Sequence, residues 1–595
     1  MPILAQNAQT TWRIVMPHPA HETVKLAAHE LHALVAQLCG AQLPTQTELQ
    51  PIHTHEILVG RSGRLAHYGI EVDWEALGEE GFVMKTGENW LLLAGATPRG
   101  TLYAVYTFLE EALGLRFLAS DCTVIPHAAC VAFPELDDCQ RPAFESREAY
   151  WSDAFNGSYA VRNKMNANKA DISIRQGGRM KFYNFHHSFD DLVPVRRYFE
   201  THPEYFSLVD GVRKREHTQL CLSNPDVIKL AIAQVRRWIA ENPDCRVFSV
   251  AQNDWHNYCT CPTCAALDEA EGSPAASVIR FVNTIGEDIE KDFPQVLLHT
   301  FAYQYTRKAP KTIRPRSNVI VRLCSIECCF SHPLDGQIAA LLAPDRKEKG
   351  QRRCQCALEG ENAFLRDLRE WGMICQHLYV WDYMTNFREY LMLLPNLDVL
   401  QRNMQLFRAI GVKGIFGQGN FSQGGGGHLA ELEAYLQAKL MWNPDCDLEK
   451  HINDFLDGFY GDAAAPFIRQ YLTEWQQASR PWHVTIFDNV FSPYVTDELI
   501  AASTALLGQA EWLTQDDIQR QRIHRLTLSM NYLALARMPR DTPGREALVE
   551  NLGWELRRAG YSEIRERWTL DESIEQMKQH DYEQWKRSVV NDYKM

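Results

Sequence analysis

The sequence predicts a mixed α/β fold: a (β/α)₈ TIM-type barrel preceded by an α+β domain and followed by an α-helical domain. Three observations predict it. Five apolar runs occupy the middle of the chain: Val247–Asp254, Val296–Tyr305, Val319–Glu327, Leu378–Tyr383 and Gly414–Asn420. They are rich in Val, Ile, Leu and Phe without clean alternation, as strands buried on both faces are. Amphipathic stretches at helical spacing fit between several of them, at Asp226–Ile239, Ala276–Ile289 and Leu397–Ile410. Finally, each run stops on polar or aromatic residues, and in a closed barrel the C-terminal strand ends supply the active site.

Residues 1–143 form the α+β part. Thr23–Leu38 carries a helical apolar stripe that Cys39–Gly40 stops. His55–Gly60 reads as a strand, and Gly81–Lys85 and Trp90–Ala94 as a strand pair across the turn Thr86–Asn89. Arg99–Leu113 reads as a helix closed by Gly114, with Arg99 at its start. Nothing in this part looks catalytic. Residues 144–428 supply eight candidate strands: Arg147–Trp151, Lys181–His186, Thr218–Leu222 and the five runs above. Residues 429–595 read as helices at Glu431–Met441, Leu448–Phe459, Ala464–Ala478, Asp497–Leu513, Asp517–Met538 and Arg545–Ala559. The glycine run Gly424–Gly427 is a loop, since no Lys and helix start follow to make a phosphate cradle.

Composition narrows the function classes. A chain of 595 residues holds several domains, and 45% hydrophobic with 23% charged residues suits a folded soluble protein. The net charge is −14 and no basic run appears, which argues against nucleic acid as a partner. No apolar stretch approaches the ~18 residues of a membrane span. The start, MPILAQNAQTTWRIV, lacks a basic segment followed by an apolar core, so the cytoplasm is expected, with the periplasm the alternative for a chain trimmed of a leader. The 16 Cys are then expected mostly as free thiols. Fifteen Trp and 22 Tyr suit a carbohydrate cleft, in which flat rings meet sugar C–H faces, and equally suit a large core.

Three strand-end carboxylates are the candidate catalytic groups: Asp254, Glu327 and Asp382. Glycoside hydrolysis needs two carboxyl groups flanking the scissile bond, one as proton donor and one as base or nucleophile. On a barrel, Asp254 after the fourth strand faces Glu327 and Asp382 at the sixth and seventh. Candidate substrate-binding residues beside them are Trp151, His186, His187, Asn253, Tyr303, Trp381, Tyr383 and Gln418, with Asn166 and Asn420 as further polar strand-end groups. Cys259, Cys261 and Cys264 sit close enough for a structural zinc, with His256 or a distant Cys as fourth ligand. Cys328–Cys329 and the pair Cys354 and Cys356 are neighbours that loops bring toward it. The carboxylate chemistry itself requires no cofactor.

Ala94–Asp121 (AGATPRGTLYAVYTFLEEALGLRFLASD) resembles the end of the N-terminal domain that precedes the barrel in α-glucuronidases. Tyr205–Pro225, Ser249–Ser273, Ser325–Pro333, Tyr379–Asn386 and Phe459–Gly461 resemble the bacterial DUF4838 family, which is glycoside-hydrolase-like. The resemblance implies a glycosidase-like barrel acting on a carbohydrate, with Asp254 as acid and Glu327 and Asp382 as base candidates. The α-glucuronidase acid is a Glu, so Asp254 departs from it with a shorter reach. β-Hexosaminidases carry an Asp–Glu pair at this place, and Asn253–Asp254 offers the corresponding substrate-assisted arrangement. A non-catalytic carbohydrate-binding protein on the same scaffold and a zinc-dependent hydrolase are the alternatives, and a homo-oligomer is compatible with all three.

Overall fold

The computed structural model describes residues 1–336, 363–422 and 427–579. Its N-terminal part holds a six-stranded mixed sheet in the order Asp137–Gln140, Phe82–Thr86, Trp90–Gly95, His55–Val59, Trp12–Met16, Thr45–Thr47. Helix Glu22–Cys39 is capped by the His21 ring, which accepts from Thr23 N, and is ended by Gly40 at φ 77°. That conformation needs no Cβ, which is why the chain turns there. Helix Pro98–Thr107 packs on Glu22–Cys39 and on strand Trp90–Gly95. Arg99, at its start, is a weld between segments: it donates to the carbonyls of Gly177 and Gly178 and pairs with Glu80 at 2.6 Å. Glu80 also takes Arg147 from the central sheet, and these two cations hold its carboxyl below the usual range against the cost of burial.

Among the described residues the central sheet has seven parallel strands: β1 Ser146–Tyr150, β2 Phe182–Tyr183, β3 Val247–Ser249, β4 Leu297–Ala302, β5 Val319–Cys324, β6 His377–Tyr383 and β7 Gly414–Gln418. Their order is β1-β7-β6-β5-β4-β3-β2. This is a curled parallel half-barrel with helices between strands, all C-terminal ends on one rim. The five apolar runs are strands as the sequence predicts. The closed eight-stranded barrel is not what the hydrogen bonds show, for two local reasons. Thr218–Leu222 makes only isolated bridges, Phe206 with Leu220 and Thr218 with Asn257, and lies on the rim rather than in the sheet. Lys181–His186 shortens to two residues, because Asn184 takes a left-handed φ of 48°.

The edge strands β1 and β2 are linked through the segment between them, chiefly by its asparagines. Asn166 accepts from Arg147 N at 3.0 Å and donates to Glu145 O at 2.7 Å, while its own carbonyl accepts from Met180 N. The Asn168 amide oxygen accepts from Phe182 N at 2.9 Å. Buried backbone groups must be paired, and here two asparagine amides do what a strand does elsewhere in the sheet. Asn166 is therefore a structural residue rather than a strand-end ligand.

The inner face is filled by Arg322, which is buried, with its guanidinium 4.3 Å from the Phe185 ring centroid and within 6 Å of Phe182, Tyr379 and Phe416. Burial pushes it down to about 10. His299 beside it meets Ser249 Oγ at 2.9 Å, and burial holds its ring neutral.

After the sheet come, among the described residues, seven helices: Ala430–Trp442, Leu448–Tyr460, Ala465–Ser479, Asp497–Leu513, Asp517–Arg537, Arg545–Arg558 and Leu570–Gln579. The last is additional to the six the sequence predicts. Ala430–Trp442 is buried all round, with Lys439 paired to Glu110 at 2.5 Å and Trp442 stacked on Phe82. Among the described residues no helix is long and apolar enough to cross a membrane.

Replacing Asn166 by Asp keeps the acceptor for Arg147 N but removes the donor to Glu145 O and sets a charge beside Glu80. Losing one buried partner costs about 1–3 kcal/mol. Chemical denaturation is expected to show N166D destabilised by that order; an unchanged midpoint would show that the bridge does not hold the ring.

Candidate active site

Asp254 lies on the loop that leaves β3. Its side chain is 46% exposed and makes no ion pair with Lys or Arg among the described residues. Tyr303 Oη donates to its Oδ1 at 3.1 Å, and Gln304 Nε2 donates to the same phenol at 3.0 Å. His187 Nε2 stands 3.9 Å from Oδ1. The other ring nitrogen of His187, Nδ1, lies 2.5 Å from the carbonyl of Gln252, which only accepts, so Nδ1 carries the proton. Burial pulls this histidine below its ordinary range, so the neutral ring turns its Nε2 lone pair toward Asp254. A hydroxyl placed between them would find an acceptor on either side.

The loop is braced by two glutamines. Gln219 accepts from Asn253 N at 2.8 Å and donates to Asn253 O at 2.8 Å and Trp255 O at 2.6 Å. Gln252 donates to Tyr303 O and accepts from Thr306 Oγ1. The Asn253 side chain donates to Thr218 O at 2.9 Å and accepts from Asp190 N at 3.2 Å. This amide, a substrate-binding candidate by sequence, is largely spent on the protein.

The other two carboxylates differ. Glu327 is 54% exposed and paired with Arg307 Nη1, whose Nε binds Asp367 at 2.7 Å. Asp382 is only 7% exposed. Ser325 Oγ donates to it at 2.6 Å and Tyr383 N at 3.0 Å. Alternation along β6 explains the burial: Tyr379, Trp381 and Tyr383 share the inner face, so Asp382 points to the opposite one. Burial pushes it up to about 6.

Trp381 lines the inner face, 4.4 Å from Phe416 and 5.6 Å from Phe301 by ring centroids, and donates to Gln418 Oε1 at 2.8 Å. Tyr303 and Tyr383 are buried at the rim, and His186 is exposed. Trp151 is 1% exposed behind Gly419, where an added Cβ would strike the indole at 2.1 Å. So the structure gathers Asp254, His187, Tyr303, Trp381, Tyr383 and Gln418, and leaves Trp151 beneath the surface.

Sequence reasoning missed Gln219 and Gln252, whose bracing has no local signature. It also missed the loop Ser562–Thr569, tied across the rim by Glu566 N to Phe387 O and Tyr390 N to Ile564 O, each at 3.0 Å. Glu566 is raised by burial first, with the charge of Asp254 contributing, and the cation of Arg567 reaches His187.

Cys221, Cys259, Cys261 and Cys264 bring their sulfurs within 4.8 Å of one another. The fourth member is the distant Cys221, not His256. Cys328 and Cys329 are elsewhere, Cys329 against His332 Nδ1 at 3.1 Å. Cys354 and Cys356 lie outside the described residues.

Residues 117–473 match the family described as "Domain of unknown function (DUF4838)". The chain belongs to that family. Residues 4–108 of this DUF4838 protein match a second family, "Glycosyl hydrolase family 67 N-terminus". Comparison with curated proteins gave no match. Among solved structures, a family GH115 4-O-methyl-α-glucuronidase with specificity for decorated arabinogalactans is similar, with TM-score 0.57, 12% identity and coverage of 95% of this chain and 78% of that one. A GH138 enzyme targeting pectin rhamnogalacturonan II aligns at TM-score 0.46 and 9% identity over 97% and 99% of the two chains. At such identities the likeness is one of fold.

The Asp382 carboxyl holds its proton more tightly folded than unfolded. Its burial is therefore tolerated below pH ~4 and costs stability as pH rises toward about 6, then stays at that cost above. D382N, which keeps both acceptor bonds, is expected to be more stable than wild type at pH 8, by on the order of 2–3 kcal/mol, and equal to it at pH 4. Denaturation of both at the two pH values checks this; a difference that does not change with pH would place the ionisation elsewhere.

Proposed function

We propose that the protein is a glycoside hydrolase in which Asp254 transfers the proton to and from the glycosidic oxygen. The observation that carries this reading is the setting of Asp254. Asp254 and Glu327 are both exposed, but of the three candidate carboxylates only Asp254 is held by a phenol and faced by a neutral imidazole, with no Arg or Lys pairing it among the described residues. Those are the attributes of a group that must gain and lose a proton against a substrate. Glu327, fixed at the rim by Arg307, is the base or nucleophile of the proposal. Asp382 then acts as a positioning residue: it binds Ser325, from which the chain runs directly to Glu327.

An α-glucuronide in an oligosaccharide or glycoconjugate is the first substrate to try. The GH67-type N-terminal match and the activity named for the GH115 neighbour support it, and the Arg567 cation near His187 would suit a uronate carboxylate. The hexosaminidase-like alternative needs Asn253 to hold the substrate, and that amide is already engaged. The Glu327–Arg307 pair is the one feature that favours the other reading, a carbohydrate-binding protein without turnover.

A screen of chromogenic glycosides and plant glycans tests the proposal. On a cleaved substrate, D254N is expected to lose about 10²–10⁴-fold in kcat/KM, least with the best leaving group, and Y303F less. E327Q is expected to fall comparably for every leaving group. Full activity in both D254N and E327Q would overturn the assignment. Sugar binding by calorimetry with no released product would favour the binding protein.

A further inference from the structure

The Cys cluster lies outside the proposed chemistry and asks for its own account. Its four thiols are buried, and among the described residues no other buried apolar side chain belongs to that cluster and Leu208 alone packs on it. A small core built only of thiols has little reason to exist for packing. Cys221 Sγ and Cys261 Sγ are 3.7 Å apart. A tetrahedral zinc with Zn–S bonds of about 2.3 Å has S···S edges of about 3.8 Å, whereas a disulfide holds its sulfurs at about 2 Å. The surroundings are those of thiolates. Leu208 N donates to Cys259 Sγ at 3.4 Å, the Arg213 guanidinium lies 3.9 Å from the same sulfur, and the Ser223 hydroxyl sits 3.2 Å from Cys264 and 3.6 Å from Cys261. Such outer contacts orient metal-bound sulfurs and offset their charge.

We propose that Cys221, Cys259, Cys261 and Cys264 bind one zinc ion as a closed structural site that clips the loop after Asp254 to the segment Leu208–Ser223. Four protein thiolates leave no open coordination position, so the ion has no catalytic role. The thiol protons leave as the metal enters, and nothing is oxidised or reduced. The clip lies in line with bonds already made by the same two segments: Gln219 to Asn253 and Trp255, and Asn257 Nδ2 to His217 O at 3.1 Å. The acid loop is thus held to one neighbouring segment by amides near Asp254 and by metal a few residues further on.

Elemental analysis of the full chain, purified without chelator, is expected to find one zinc per chain. Cobalt replacement is expected to give thiolate-to-metal charge-transfer absorption and the intense d–d bands of a tetrahedral tetrathiolate. C221S and C261S should lose the stoichiometric metal, and C139S, at an exposed thiol outside the cluster, should keep it. C221H keeps four donors and should bind cobalt with a shifted spectrum, which serves if the serine variants do not fold. Wild-type protein that takes up neither zinc nor cobalt, iron in place of zinc, a disulfide among the four by mass spectrometry, or unchanged metal content in C221S would each overturn the proposal. None of these readouts depends on whether the chain cleaves a glycoside.

Discussion

The curled sheet has to be filled, and Arg322 is what fills it. Taking a guanidinium out of water costs several kcal/mol, and among the described residues no carboxylate pairs with it directly. Aromatic faces take up that role: Phe182, Phe185, Tyr379 and Phe416 surround the cation, with Glu148 contributing opposite charge from β1. Two of those rings, Phe185 and Phe416, also touch Trp381. The filling of the sheet and the Trp381 side of its rim are therefore one packed unit. The candidate polar groups are confined to the rim.

That confinement explains how three similar carboxylates came to such different states. Asp254 rides on a loop braced from below by Gln219 and Gln252. Glu327 is drawn to an arginine. Asp382 belongs to the strand itself and obeys its alternation, which turns it away from the face that Trp381 and Tyr383 occupy. Environment, not residue type, separates an exposed carboxylate held by a phenol from one paired with an arginine and from a buried one.

Much of this was legible in the sequence because burial on both faces leaves a compositional mark. Val319–Cys324 and Leu378–Tyr383 read as strands for that reason, and the amphipathic helices between strands read by their stripe. Short irregular pieces leave no such mark. Thr218–Leu222 has strand-like residues, yet its backbone serves the loop that carries Asp254. Asn166 carries a polar label that suits a ligand site, yet it closes a gap in the ring. The fourth thiol, Cys221, lies far along the chain from Cys259–Cys264, so spacing could not point to it. Strict alternation over Tyr379, Trp381 and Tyr383 did contain the orientation of Asp382, and counting by twos along that strand would have found it.

The way the ring is joined also sets an order of events for a chain leaving the ribosome. β1 is made first among the sheet strands, but its only strand partner among the described residues is β7, the last. Its other side leans on Asn166, which needs Met180 and its neighbours in place. Until Gly414–Gln418 has emerged, β1 exposes a hydrogen-bonding edge with nothing to pair, and contacts this distant along a chain form slowly. The Glu80–Arg147 weld gives β1 a place to wait: it ties the strand to the N-terminal sheet, which is complete before the half-barrel can be.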